Sequence, residues 1–203
     1  MTATVASEDI AGSPEFRHLS TIAGIRVDLR YATANNFVGR DLYSPFDCAW
    51  LHVQAAEALE RVVAWLAARR PDLTPLVLDA LRPQRVQQQL WDALEGTDLR
   101  LYLANPIRGS IHSYGMALDL TLVDARGREL DMGTGFDDMT ELSHPALEEG
   151  FLRAGQLGEE QLANRRLLRE AMLQAGFLGI HTEWWHFDCG DRDLVRQTFQ
   201  RVL

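Results

Sequence analysis

Ser110-Ile-His112-Ser-Tyr-Gly115-Met-Ala117-Leu-Asp119-Leu-Thr-Leu-Val123 is the stretch on which the fold turns. From Ala117 onward it alternates: Leu118, Leu120 and Leu122 share one face of a strand, and Ala117, Asp119 and Thr121 take the other. Asp119 therefore points away from a leucine layer, out of the sheet. Gly115 permits a tight turn just before the strand. His112 thus sits in a loop tied directly to the strand that carries Asp119.

Elements can be read on both sides of this strand. Upstream, 25–31 alternates as a strand, and Leu51, Ala55, Leu59, Val62 and Leu66 recur at helical spacing, with Asp47 as the expected cap and Pro71 as the stop. Leu76 to Leu81 reads as a buried strand. Pro83 keeps Arg82 extended at its end, and a helix follows to about Glu95, stopped by Gly96. Downstream, 124–158 is irregular and Glu159 to Ala175 is a helix. Leu178 to Phe187 is aromatic and β-prone, and Arg192 to Arg201 is a short final helix. Residues 1–14 read as a polar, frayed segment and 15–203 as one domain. Strands and helices interleave unevenly, with two long loops, which predicts an α+β domain rather than a doubly wound parallel sheet.

Composition narrows the function. With 203 residues, 46% of them apolar, the chain can bury a core without staples. Its longest strongly apolar run, Val62 to Ala68, is far short of the ~20 residues of a membrane span. The net charge is −9, and the densest basic spots, Arg69-Arg70 and Arg165-Arg166, read as solvated helix faces. That balance argues against a nucleic-acid partner and for a small polar substrate in a local pocket. Cys48 and Cys189 are expected to be reduced thiols, and the N-terminus carries no secretory pattern. Both features point to the cytoplasm.

Phosphate loops, dinucleotide fingerprints, nucleophile elbows and the H-E-x-x-H motif are all missing. What remains is His112 and Asp119, together with Glu183-Trp-Trp-His186. His112, Asp119 and His186 would supply two imidazoles and one carboxylate, a three-ligand set suited to zinc with one position open. Glu183 is the candidate general base. Residues three apart on a regular strand face opposite sides, so Glu183 and His186 can share a site only if the strand bulges or ends near Trp184-Trp185. Arg82 is the candidate stabiliser of a developing oxyanion. Taken singly, these features have ordinary readings too: an H-x6-D spacing arises by chance, and an Arg before Pro is commonly a surface residue. His181 and Cys189 are expected to be non-ligands; His18, His52 and His144 have no partner motif.

Taken together, S-x-H-x-x-G-x-A-x-D and E-W-W-H resemble the zinc D-Ala-D-Ala dipeptidases of the vancomycin-resistance type. The likeness runs from about Leu29 to Asp188 and includes Arg82-Pro83, Met132-Gly133, Phe136-Asp137 and Asn164-Arg-Arg166. It implies an α+β domain with a central, mostly antiparallel sheet flanked by helices and a zinc site on the sheet and the adjoining loop. By the same likeness one zinc ion is held by His112, Asp119 and His186, Glu183 is the catalytic base, and Arg82 stabilises the transition state. Tyr31 and Asp137 would lie near the substrate's amino group and Ser110 near the substrate. The implied reaction is hydrolysis of D-Ala-D-Ala or a similar free dipeptide. A carboxypeptidase trimming peptidoglycan peptides and a non-catalytic zinc-binding module are the alternatives. Two stretches depart from the family pattern: the chain between Gly39 and Asp47 is shortened, and the segment after His186 lacks the expected Pro- and aromatic-rich ending.

Overall fold

Strand Ala117–Val123 is buried at every residue, because helices and loops cover the sheet on both faces. The structure, a computed structural model, describes residues 3–203. The central sheet has five strands: β1 (Arg26–Val27), β2 (Thr74–Asp79), β3 (Ala117–Val123), β4 (Phe177–Gly179) and β5 (His186–Cys189). Their spatial order is β1-β2-β3-β5-β4. Only β1 and β2 run parallel; every other neighbouring pair is antiparallel. The α+β expectation with a mostly antiparallel sheet is met.

Among the described residues five α-helices accompany the sheet: α1 (Val53–Arg69), α2 (Gln84–Ala93), α3 (Glu148–Arg153), α4 (Glu159–Gln174) and α5 (Arg192–Thr198). The apolar stripe of α1 (Ala55, Leu59, Val62 and Leu66) and that of α4 (Leu168 and Met172) join the leucines of β3 in one core. Helix α2 turns Val86 and Leu90 into a second cluster with Tyr31 and Tyr43. That cluster forms the apolar back of the region where Arg82 emerges.

Four local expectations are corrected. The first helix is capped by His52, whose ring accepts from the Gln54 amide at 3.2 Å. Asp47 stands too early, because Trp50–His52 first runs as a strand against Phe16–His18. The segment read as frayed carries a short strand, Thr4–Val5, paired with Arg201–Val202, and its Ile10 is buried. The final helix therefore stops at Thr198, because the residues beyond it pair with the N-terminal segment. The expected strand 178–187 is two strands of a hairpin, with 180–185 irregular between them. Consecutive Trp184 and Trp185 pack edge to face at 5.3 Å, a contact that neighbours on a regular strand, pointing to opposite faces, do not make. The strand end anticipated near these tryptophans is where β5 begins.

Gly115 closes the 3-10 turn Ile111–Tyr114 in the left-handed conformation, φ 63°. A Cβ there would stand 2.7 Å from the His52 backbone nitrogen. Gly115→Ala is thus expected to cost about 2 kcal/mol from strain and close contact. For a domain of this size that is a fall of about 4–8 °C in Tm by calorimetry. An unchanged Tm would show that the turn relaxes freely.

Candidate metal centre and its pocket

Asp79, Asp119 and His186 form a row across three neighbouring strands: Asp79 lies opposite Asp119 just past a register shift between Val77 and Asp79, and Asp119 lies opposite His186. The row explains how residues far apart in sequence meet, since directly opposed side chains on adjacent strands are near neighbours. His112 reaches the same point from the turn before β3. There His112 Nε2, His186 Nδ1 and Asp119 Oδ1 lie 2.9, 3.1 and 3.4 Å from one another. A tetrahedral ion with bonds of about 2.0–2.1 Å holds its ligand atoms about 3.3 Å apart. The triangle therefore fits one face of such a coordination shell.

The atoms behind the triangle fix which lone pairs point inward. His112 Nδ1 lies 2.8 Å from the Ala80 carbonyl, which can only accept, so Nδ1 carries the proton and Nε2 is left bare. His186 Nε2 lies 2.9 Å from Asp188 Oδ1, which leaves Nδ1 as the inward donor. Asp119 Oδ2 accepts from Arg82 Nη2 at 3.2 Å. When both imidazoles are neutral in these tautomers, three electron-rich atoms face one another with no proton between them, which a cation satisfies. Carboxylate or carbonyl partners behind ligating imidazoles are the usual supporting arrangement of metal sites. Burial opposes ionisation of Asp119, yet the two imidazoles hold its carboxyl well below the usual range. Burial also opposes a charged His186, but the carboxylates of Asp188 and Asp119 raise its proton affinity well above the ordinary value. Both shifts reflect the same demand for positive charge at this point. Two imidazoles and a carboxylate are the donor types of a catalytic zinc site.

Around the triangle lies a cavity of about 330 Å³, within the range of small-molecule sites. Tyr31, Arg82, Ser110, Asp137 and Glu183 all line it with the three donors. Every site residue read from the sequence is therefore brought to one pocket, and His181 lines it without joining the donor triangle. Glu183 leaves the irregular segment before β5, so the strand-face conflict with His186 does not arise. Its carboxylate has no hydrogen-bond partner among the described residues, and burial pushes it up to about 7. Arg82 is buried and heavily tied: Nε donates to Asp79 at 2.8 Å, Nη1 to Gln87 at 3.1 Å and Nη2 to Asp119. Its guanidinium also lies 5.1 Å from the centre of the Tyr31 ring. The Tyr31 hydroxyl donates to Asp137 at 2.8 Å. Asp137 has φ 61°, a left-handed conformation that Asp tolerates better than most residues and that turns up at ligand sites. Burial raises the Asp137 carboxyl well above the usual range, against the opposing pull of Tyr31 and Arg82.

Three contributors escaped the sequence reading. Asp79 sat inside an apolar strand and carried no motif; it is fully buried beneath Arg82 and accepts from the Tyr43 hydroxyl. Asp188 follows His186 by two residues on the same strand face, a spacing that could have marked it as the partner of that imidazole. Arg165, expected on a solvated helix face, is instead buried. It donates to the Met132 carbonyl at 2.6 Å and the Leu142 carbonyl at 3.0 Å, pinning both ends of the loop that carries Asp137.

Residues 15–203 match the family model described as D-Ala-D-Ala dipeptidase, within the M15 peptidases. The chain belongs to that family. It is 40% identical over 164 residues to a D-alanyl-D-alanine dipeptidase of Escherichia coli K12, covering 81% of this chain and 78% of the relative. A protein of the same name from Enterococcus faecium is 30% identical over 199 residues, covering 88% of this chain and 92% of the relative. A third, from Synechocystis, is 32% identical over 181 residues, covering 74% of this chain and 73% of the relative. The chain is thus an enzyme of a metal-dependent peptidase family, as the resemblance implied.

Asp188→Asn keeps the shape behind His186 but removes the charge. Affinity for a divalent ion is expected to fall about 10–100-fold, measured by competition with a chelating dye. Unchanged affinity would show that Asp188 does not set the His186 donor.

Proposed function

We propose that this enzyme hydrolyses D-Ala-D-Ala or a closely similar free dipeptide, with one zinc ion held by His112, Asp119 and His186. The observation that carries the reading is the convergence of three inward donor atoms in a pocket whose walls also hold a lone carboxylate, a buried guanidinium and an acid-tyrosine pair. Zinc at such donors supplies Lewis acidity toward a carbonyl oxygen and toward water.

The chain's own residues do the rest. Among the described residues Glu183 has no hydrogen-bond partner to release before it acts, and burial raises its proton affinity toward neutrality, so it can take a proton from the attacking water and return it to the leaving amine. Arg82 is held rigidly by Asp79, Asp119 and Gln87, with Nη2 between the two carboxylates, and keeps a second N–H on Nη1. Its fixed charge stabilises the oxygen that becomes negative as the carbonyl is attacked, without reorganisation during the step. Asp137, steadied by Tyr31, accepts the substrate's ammonium group, which returns the carboxyl to its charged form. Ser110 caps no helix turn with its side chain and lines the pocket, which leaves its hydroxyl available to a substrate.

No helix among the described residues is long and apolar enough to cross a membrane. Cys48 and Cys189 are both free thiols, which suits the reducing cytoplasm as the proposed site of action.

The zinc-loaded protein is expected to release D-Ala from D-Ala-D-Ala, and a chelator to abolish that release. Glu183→Gln should lower kcat about 10²–10⁴-fold with bound metal unchanged. Masking the ammonium in N-acetyl-D-Ala-D-Ala leaves Asp137 without its partner and should reduce kcat/KM at least about 10-fold. Absence of D-Ala release from loaded protein would refute the proposal.

A further inference from the structure

A free dipeptide is a zwitterion, and the pocket described so far answers only its ammonium. Its carboxylate must shed water to enter, and a carboxylate without a cationic partner is costly to desolvate. Every one of the 20 basic residues in this chain is an arginine, and four of them line the pocket: Arg82, Arg108, Arg192 and Arg196. Arg82 is already matched by two carboxylates, Asp79 and Asp119. Arg196 is engaged in holding the loop before His112, through Nε on the Gly109 carbonyl at 3.1 Å and Nη1 on Asp193 at 3.2 Å.

Arg108 and Arg192 differ from these two. Their side chains are 65% and 47% exposed. Among the described residues Arg192 commits only Nε, to Asp188 at 2.5 Å, which leaves both terminal nitrogens with their hydrogens to offer. Arg108 gives one nitrogen to the exposed Asp193 at 3.1 Å, a surface pair worth little and readily exchanged. The cluster is electrostatically crowded: burial, Arg108 and Arg192 all lower the proton affinity of Arg196. Guanidinium groups gathered on one pocket wall, two of them with donors to spare, make a site for a planar anion, and a carboxylate is the anion their forked geometry fits.

We propose that Arg108 and Arg192 bind the C-terminal carboxylate of the dipeptide and so select for substrates with a free C-terminus. The proposal rests on the dipeptidase reading and adds to it the partner for the second charged end. Arg108 comes from the loop before His112, and Arg192 from the first turn of α5, within the segment that departs from the family's expected ending. Through Asp188, Arg192 is also coupled to His186, so an occupied carboxylate site lies one hydrogen-bonded step from the metal ligands. Both arginines also line the neighbouring open cavity. They stand where the two spaces meet, at the outer limit of the catalytic pocket.

The test compares D-Ala-D-Ala with its C-terminal amide, D-alanyl-D-alaninamide, in the zinc-loaded wild type, Arg108→Gln, Arg192→Gln and the double variant, with bound zinc measured in each. The wild type is expected to prefer the free acid at least about 10-fold in kcat/KM. Each single variant should raise KM for the acid more than it lowers kcat, and the double variant should bring the acid-to-amide ratio close to one. Arg108→Gln touches no partner of a metal ligand, so it reports on the carboxylate even if Arg192→Gln disturbs His186. A wild type that cleaves acid and amide equally, or a double variant that keeps the full preference, overturns the proposal and leaves the dipeptidase reading standing. A loaded wild type that cleaves neither substrate overturns the dipeptidase reading itself, and the carboxylate site with it.

Discussion

Three lone pairs directed at one point, each locked from behind, are the constraint on which the rest of this molecule depends. Like partial charges 2.9–3.4 Å apart repel unless something positive lies between them. The protein holds them there by giving each donor a second bond in the opposite direction: a carbonyl behind His112, a carboxylate behind His186 and a guanidinium behind Asp119. Those partners are themselves anchored, Arg82 by Asp79 and Gln87, and Asp188 by Arg192. The site is a network of alternating charge in which almost every member has two reasons to stay in place. Such networks are strong when complete and fragile when one member is lost.

The fold serves this network through sheet register. Placing Asp79, Asp119 and His186 opposite one another on adjacent strands requires β2, β3 and β5 to be neighbours, although β5 is last of the five in the chain. The cores on either side keep that register from slipping: a shift of one residue would turn the leucines of β3 toward the pocket and Asp119 into the apolar layer. Stability and chemistry are therefore coupled at one strand. The irregular segment 180–185 is the complementary device, since it frees Glu183 from the strand geometry that holds His186.

Much of this was legible in the sequence, for identifiable reasons. The alternation of 117–123 and the turn at Gly115 are local signals, and they locate His112 and Asp119 without any knowledge of the partners. The clash between Glu183 and His186 on a regular strand correctly demanded a strand end near Trp184-Trp185. What stayed hidden depends on long-range pairing. Asp79 looks like part of an apolar run until β3 is laid beside it, and Arg165 looks like one half of an exposed basic pair until the loop 132–142 folds over it. Asp47 has the chemistry of a helix cap, yet the strand pairing at Trp50–His52 moves the helix start beyond its reach. The two ends are illegible for the same reason, because 4–5 and 201–202 form strands by pairing with each other.

The most direct test is a crystal structure of the zinc-soaked protein with data collected on either side of the zinc absorption edge. The account predicts a single strong anomalous peak bonded to His112 Nε2, Asp119 Oδ1 and His186 Nδ1, with His186 Nε2 still on Asp188. A map with no peak at that point, or with zinc held by a different set of side chains, would contradict it.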